Sequence, residues 1–294
     1  MKSLINLQTS RYEHPLDRAT LQTLKKLPGV EAAVDFIMNW TFVKRQIIRM
    51  CGNSFHVTSE TCPVIAQNSN DVFKTLNLNY KPEVYIYQDY YINAYTTGHE
   101  NNAFIALSSG SIDRLNENEI KFVIGHEAGH IKSGHVLYHI LCANLGSLVS
   151  KIPLLSTGVK GALFKWYRMS EFTADRAGLL ACQDLDASIG AIMKMAGLPE
   201  KYYSVSSLEG FKQQAREFQD KYGGTAEKLL KLYEIFDENH PWTVIRAAEL
   251  INWVSSGEYQ KIWDESSGKE CPVCNNSVNI DAVNCPICGY KFKD

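Results

Sequence analysis

At 294 residues, 45% of them hydrophobic, the chain can bury one sizeable core and carry a small appendage beside it. A formal net charge of −2 gives no general attraction for nucleic acid or an anionic membrane, so nucleic acid is not an expected partner. The opening Met1-Lys2-Ser3-Leu4-Ile5-Asn6-Leu7-Gln8 turns polar too soon for a secretory leader. Eight cysteines without an export signal then read as reduced thiols in the cytoplasm.

Amphipathic helices are expected over 19–27 and 30–50, divided by Pro28-Gly29. A short strand over 55–58 and a helix over 63–76 follow. The segments 84–87, around 93 and 104–107 have the alternation and β-formers of a small sheet. Asn116-Glu117-Asn118-Glu119 reads as a capping box, and Ile120, Val123, Ile124 and Ile131 give the helix it opens a buried stripe, ending near Gly134. The apolar stretch 136–164 is broken by Lys151, Pro153 and Lys160, and its uncharged part is too short to span a membrane. Further helices are expected over 187–195, 207–218 and 226–236, with Pro241 opening a last one that runs to about 254. The fold class is α+β, mainly helical. Residues 1–264 form the main domain, with N-terminal helices over about 15–76 and a core over about 80–262. Residues 265–269 read as a linker on their Ser-Ser-Gly-Lys composition, and 270–294 as a separate small domain.

Chemistry concentrates at His126-Glu127-Ala128-Gly129-His130. Imidazoles four apart on a helix point the same way, one turn from each other, and neutral imidazole suits Zn²⁺. Glu127 lies on a neighbouring part of that face, where it can take a proton from water activated by the metal. A catalytic zinc needs a third protein ligand and an open fourth position. Glu171 and Asp175 share a helix face and are the candidates. On spacing alone, a ligand with its supporting carboxylate and a solvated acidic pair beside Arg176 both remain open.

Cys271-Pro272-Val273-Cys274 and Cys285-Pro286-Ile287-Cys288 form two CxxC knuckles, the spacing of a structural zinc ribbon. Cys51, Cys62, Cys142 and Cys182 read as reduced thiols. His135 and His139 are also four apart; on a straight continuation of the helix they would lie half a turn from the first pair, as packing or hydrogen-bonding residues. His14, His56 and His99 stand alone.

Gly125-His126-Glu127-Ala128-Gly129-His130-Ile131, followed by Glu171-x-x-x-Asp175 and His240-Pro241-x-x-x-x-Arg246, resembles the zinc endopeptidases typified by HtpX and the CAAX prenyl protease. Asn93-Ala94-Tyr95-Thr96-Thr97-Gly98 before 104–110 is similar to that family's edge-strand region, and the resemblance spans about 12–262. It implies a zincin-like domain with a small edge sheet. Glu171 becomes the third ligand beside His126 and His130. Glu127 is the base, His240 the oxyanion donor, and Asp175 and Arg246 support the site. Asn93 and Ala94 face a peptide or protein substrate that adds to the sheet edge. Two zinc ions are expected, one catalytic and one held by Cys271, Cys274, Cys285 and Cys288.

The resemblance favours a soluble form of the family, without membrane helices. The 136–164 stretch reads as a core hairpin, a lid over the cleft, or a peripheral membrane contact. Two other functions stay open: a scaffold with an inactive cleft, acting on a protein partner through the ribbon, and a zinc hydrolase of non-peptide substrates.

Overall fold

Local sequence rules set where the helices start. A computed structural model gives the fold, described over residues 3–5, 7–38, 41–98, 102–149, 157–222, 242–274, 276–279 and 281–292. After strand β1 (Ser3–Leu4), helix α1 (Pro15–Lys25) opens a turn earlier than expected. Pro15 fills a position whose N–H would go unused, and His14 Nδ1 accepts from the Leu16 N–H. The helix expected over 30–50 is two helices, α2 (Val30–Met38) and α3 (Thr41–Asn53); residues 39–40 lie outside the described residues.

Strand β2 (Phe55–His56), helix α4 (Pro63–Thr75) and strands β3 (Glu83–Tyr87), β4 (Ala94–Thr97) and β5 (Phe104–Ser108) follow. The sheet order is β2-β3-β5-β4, with β3 and β5 parallel and the other pairs antiparallel. This leaves β4 on an edge, its inner side paired with β5 from Ala94↔Leu107 to Thr97↔Phe104.

Helices then dominate: α5 (Ser109–Arg114), α6 (Glu117–Lys132), α7 (Val136–Val149), α8 (Thr157–Cys182), α9 (Leu185–Met195), α10 (Val205–Tyr222), α11 (Thr243–Ser255) and α12 (Glu258–Ser266). The expected helix over 226–236 and the His240-Pro241 start lie outside the described residues. The capping box of α6 forms as the sequence implies. Asn116 Oδ1 accepts from the Glu119 N–H at 3.0 Å, and Glu119 Oε2 accepts from the Asn116 N–H at 2.7 Å.

Helices α6 and α8 cross through a seam of small residues. A Cβ on Gly129 would meet the Ala177 Cβ at 2.5 Å, and one on Gly125 would collide with Ala181. Gly178 in turn lies against Phe122. The glycines beside the histidines therefore set the distance at which α6 and α8 face each other. Phe122, Ile124, Ala128, Met169, Leu180 and Trp253 anchor the main core. A second cluster joins Leu24, Val30 and Ala33 to Val136, Ile140, Leu141, Val159, Leu163 and Trp166, so described residues of the 136–164 stretch pack on α1 and α2. No described helix is long and apolar enough to cross a membrane.

Residues 265–269 depart from the expected linker. Glu265 and Ser266 end α12, and strand β6 (Ser267–Glu270) follows directly. It pairs antiparallel with β1 on one side and β7 (Ser277–Asn279) on the other. Gly268 is small because the Ile5 side chain lies where a Cβ would stand. Its glycine serves close packing, and the composition that resembles a flexible joint belongs to a paired strand.

Candidate metal centre and active-site cleft

The three candidate ligands converge at the α6–α8 crossing. His126 Nε2 and His130 Nε2 lie 3.1 Å apart. Glu171 places Oε2 at 3.5 Å from the first nitrogen and Oε1 at 3.4 Å from the second. Donor atoms at about 2.0–2.1 Å from a tetrahedral Zn²⁺ stand about 3.3 Å from one another. The set fits such an ion without rearrangement. All three residues are buried, which suits a desolvated, dedicated site.

Charge around the ligands is arranged from behind. Asp175, one turn after Glu171 on α8, accepts at Oδ1 from His126 Nδ1 at 2.9 Å. Arg246 on α11 grips the same carboxylate with both ends of its fork: Nη2 reaches Oδ1 at 2.6 Å and Nε reaches Oδ2 at 2.8 Å. Burial alone would raise the Asp175 pKa; the Arg246 charge and its hydrogen bonds outweigh that and hold it below the usual carboxylate range. Burial disfavours charge on His126 as well, yet hydrogen bonds and charge from Asp175 and Glu171 push it up to about 10. His130 goes the other way. Its burial outweighs the Glu171 hydrogen bond and, with the neighbouring imidazoles, pushes it down to about 4. Arg246 thus balances Asp175, and Glu171 is the carboxylate whose charge faces the two imidazoles.

Glu127 faces the cleft from α6, and Thr96 of β4 donates to its Oε2 at 2.6 Å. The cleft, about 1040 Å³, is lined by Asn93 to Thr97 along one wall, with His126, Glu127, His130 and Glu171 on its floor. Asn93 and Ala94 both line it. The Asn93 backbone is already engaged, its N–H donating to Ser108 Oγ and Ser111 Oγ at 3.0 Å and its carbonyl accepting from the Ser108 N–H at 2.9 Å. Asn93 therefore offers its side chain to the cleft, and the strand edge begins at Ala94. His240 lies outside the described residues, whereas Arg246, six residues on, is buried in the site.

Several site residues were missed in the sequence. Thr96 could have been found from strand alternation, since it shares a face with Ala94. Tyr167 lines the cleft one turn before Glu171; burial first, then the Glu171 charge, keeps its hydroxyl protonated well above the ordinary range. His135 does not continue the helix. Gly134, at φ +70°, reverses the chain after α6, and the His135 N–H bonds back to the His130 carbonyl at 3.0 Å. This brings His135 Nδ1 to 3.0 Å from His130 Nδ1. His139 instead pairs its Nε2 with Ser170 Oγ at 2.8 Å.

At the C-terminus, Cys271 Sγ lies 3.5 Å from Cys288 Sγ, and Cys274 Sγ lies 3.6 Å from Cys285 Sγ. These spacings are too long for a disulfide and close to the ~3.8 Å edge of a tetrahedral zinc–thiolate site. Gly289, at φ +76°, makes the turn after the second knuckle.

The buried HExxH helix, the carboxylate that a second helix brings against it and the flanking edge strand fit a metallopeptidase of the zinc type. Comparison with known proteins agrees: the model of Peptidase family M48 matches residues 61–254, and the chain belongs to that family. It is 24% identical over 269 residues to the plastoglobule-localized metallopeptidase 48, chloroplastic, of Arabidopsis thaliana, covering 90% of this chain and 78% of that protein. To protease HtpX of Pseudomonas savastanoi pv. phaseolicola it is 29% identical over 147 residues, 39% of this chain and 50% of that one. Protease HtpX of Acinetobacter baumannii is 42% identical over 57 residues, 19% of each chain. The chain thus spans half the length of the first of these HtpX proteins, or less. No solved structure matches it.

Proposed function

We propose that the chain is a zinc-dependent endopeptidase in which His126, His130 and Glu171 hold the ion and Glu127 is the general base. The observation that carries this reading is the 3.1–3.5 Å triangle of ligand atoms on the floor of a cleft that also holds a carboxylate aimed by Thr96. A zinc ion held there by His126, His130 and Glu171 would supply Lewis acidity for a scissile carbonyl and for water. Glu127 accepts the proton of the attacking water and delivers it to the leaving amine. Thr96 fixes one of its oxygens, so the other is directed to the proton. Asp175 holds His126 with its proton on Nδ1 and its lone pair on Nε2, and Arg246 keeps Asp175 ionised. His240 is the proposed donor to the oxyanion, on the strength of its spacing to Arg246.

The substrate is an extended peptide that adds to the outer side of β4 from Ala94 onward, with Asn93 contacting a side chain. The four cysteines hold a second, structural ion, and the ribbon presents a surface for a protein partner. The need for four thiolates favours a reducing compartment, and we place the chain in the cytoplasm on that ground.

The test is cleavage of a peptide library by wild type and Glu127→Gln, read by mass spectrometry beside metal content. Wild type should cut internal bonds, and the Gln variant should keep its zinc without cutting. Equal cleavage by both removes Glu127 from the mechanism, and none by either turns the reading toward a scaffold.

A further inference from the structure

Behind His130 the structure holds a chain of buried polar groups that reaches out of the span matched by the family model. His135 is fully buried, and its Nε2 lies 3.1 Å from Asp17 Oδ2, a close contact whose angle falls short of a hydrogen bond in this conformation. Asp17, also fully buried, belongs to the first turn of α1, which precedes the matched residues 61–254. Two residues of α8, seven apart and so on one face, fix its carboxylate: Trp166 Nε1 donates to Oδ1 at 2.8 Å, and Thr173 Oγ1 donates to Oδ2 at 2.6 Å. Thr173 is itself set by the His14 N–H, which donates to its oxygen at 3.0 Å.

The protons along this chain have one consistent arrangement. To ligate a cation, His130 must present a bare Nε2, so its proton is on Nδ1 and points at His135 Nδ1. His135 Nδ1 must then accept, which puts its own proton on Nε2, facing the Asp17 carboxylate. Reversing the direction fails at both ends. A proton on His130 Nε2 would occupy the space between His126 and Glu171, and a bare His135 Nε2 would face a carboxylate, acceptor against acceptor. With an ion on His130, the nearby Asp17 carboxylate favours the same polarity.

From this geometry we infer that Asp17 is a positioning residue of the metal centre, acting through His135 to fix the tautomer and ring orientation of His130. It is the counterpart of Asp175 behind His126, one imidazole longer. Helix α1 is then part of the metal site, although it is remote from it in sequence. The inference rests on the reading of His130 as a zinc ligand.

The experiment is zinc affinity of the full chain by chelator competition, with the four-cysteine site as internal control. Asp17→Asn should weaken the cleft ion by about 10–100-fold and leave the ribbon ion unchanged. In a His135→Phe background the same substitution should cost less than about twofold more, because its route to His130 is gone. An equal loss in both backgrounds would make Asp17 a mere fastener of α1 on α8, and no loss in either would remove it from the site; both overturn the inference. Nitrogen NMR of the zinc-loaded wild type tests it without any variant. His130 should carry its proton on Nδ1 and His135 on Nε2, and a His135 protonated on Nδ1 overturns the relay. A wild-type chain that binds zinc at the ribbon alone overturns the ligand assignment itself, and with it the inference.

Discussion

The cleft ligands and the ribbon cysteines reach tetrahedral spacing by opposite routes. His126, His130 and Glu171 sit on long helices anchored in the main core, at a crossing set by Gly125, Gly129, Ala177 and Ala181. Other residues orient the two histidines in turn, Asp175 with Arg246 and His135 with Asp17. In the ribbon, Cys271, Val278 and Cys285 are the buried residues of the local cluster, while Val273, Val283 and Ile287 are all more than half exposed. Among the described residues apolar burial there is sparse, so on the proposed reading an ion would complete the core of this segment. On the proposed reading, one metal is received by a fold and the other makes one.

The sharpest test of that contrast lies in the cleft. Glu171→Ala should lose both the cleft zinc and turnover, while the helical circular dichroism stays near wild type because the scaffold precedes the ion. Glu127→Gln should lower turnover by about 10³-fold or more with zinc retained, since a base and not a ligand is removed. Full metal occupancy in Glu171→Ala would move the third ligand elsewhere. His240→Ala comes next, with kcat down by about 10²–10³-fold, KM nearly unchanged and both ions bound. A kcat near wild type would reduce His240 to a residue before a helix and shift attention to Tyr167, whose protonated hydroxyl also borders the cleft.

How far the sequence revealed these features depended on whether the signal was local. The helix carrying His126 and His130 was legible because a capping box, an apolar stripe and the i, i+4 histidines agree over sixteen residues. The sheet strands were legible from alternation, but the parallel pairing of β3 with β5, which leaves β4 on the edge, was not. Glu171 and Asp175 could be paired by spacing, yet only the family resemblance separated them from a solvated acidic pair. Asp17 and His135 gave no local sign. Their meeting depends on α1 docking on α8 some 150 residues away and on Gly134 turning the chain back. At Ser266-Ser267-Gly268-Lys269 the local sign misled, because small residues serve tight packing as well as flexibility.

A smaller effect is expected at Thr96, where the sheet edge meets the base. Its hydroxyl donates to the Glu127 carboxylate at 2.6 Å, and a hydrogen bond to a charged group contributes about 1.5–3 kcal/mol. Thr96→Val keeps the shape and removes the donor, so kcat should fall by about tenfold or somewhat more, with zinc content unchanged. A kcat at wild-type level would mean that the Glu127 carboxylate is held by its own helix and needs no support from the strand.

The smallest effect on catalysis is expected from the ribbon. Cys271→Ser removes one of four thiolate ligands, and the metal content should drop from two ions to one, with the segment after Glu270 losing protection from proteolysis. The cleft lies on other elements, so kcat and KM should stay within about twofold of wild type, a change that would correspond to only about 0.4 kcal/mol. The helical body should nevertheless report the loss weakly. Strand β1 pairs with β6, and its buried Leu4 belongs to the main core, so freeing β6 loosens one edge of that core. A melting shift of about 2–4 °C would follow from a loss of ~1 kcal/mol in a body of this size. Collapse of turnover in Cys271→Ser, with the cleft zinc still bound, would break the comparison and make the ribbon a working part of the protease.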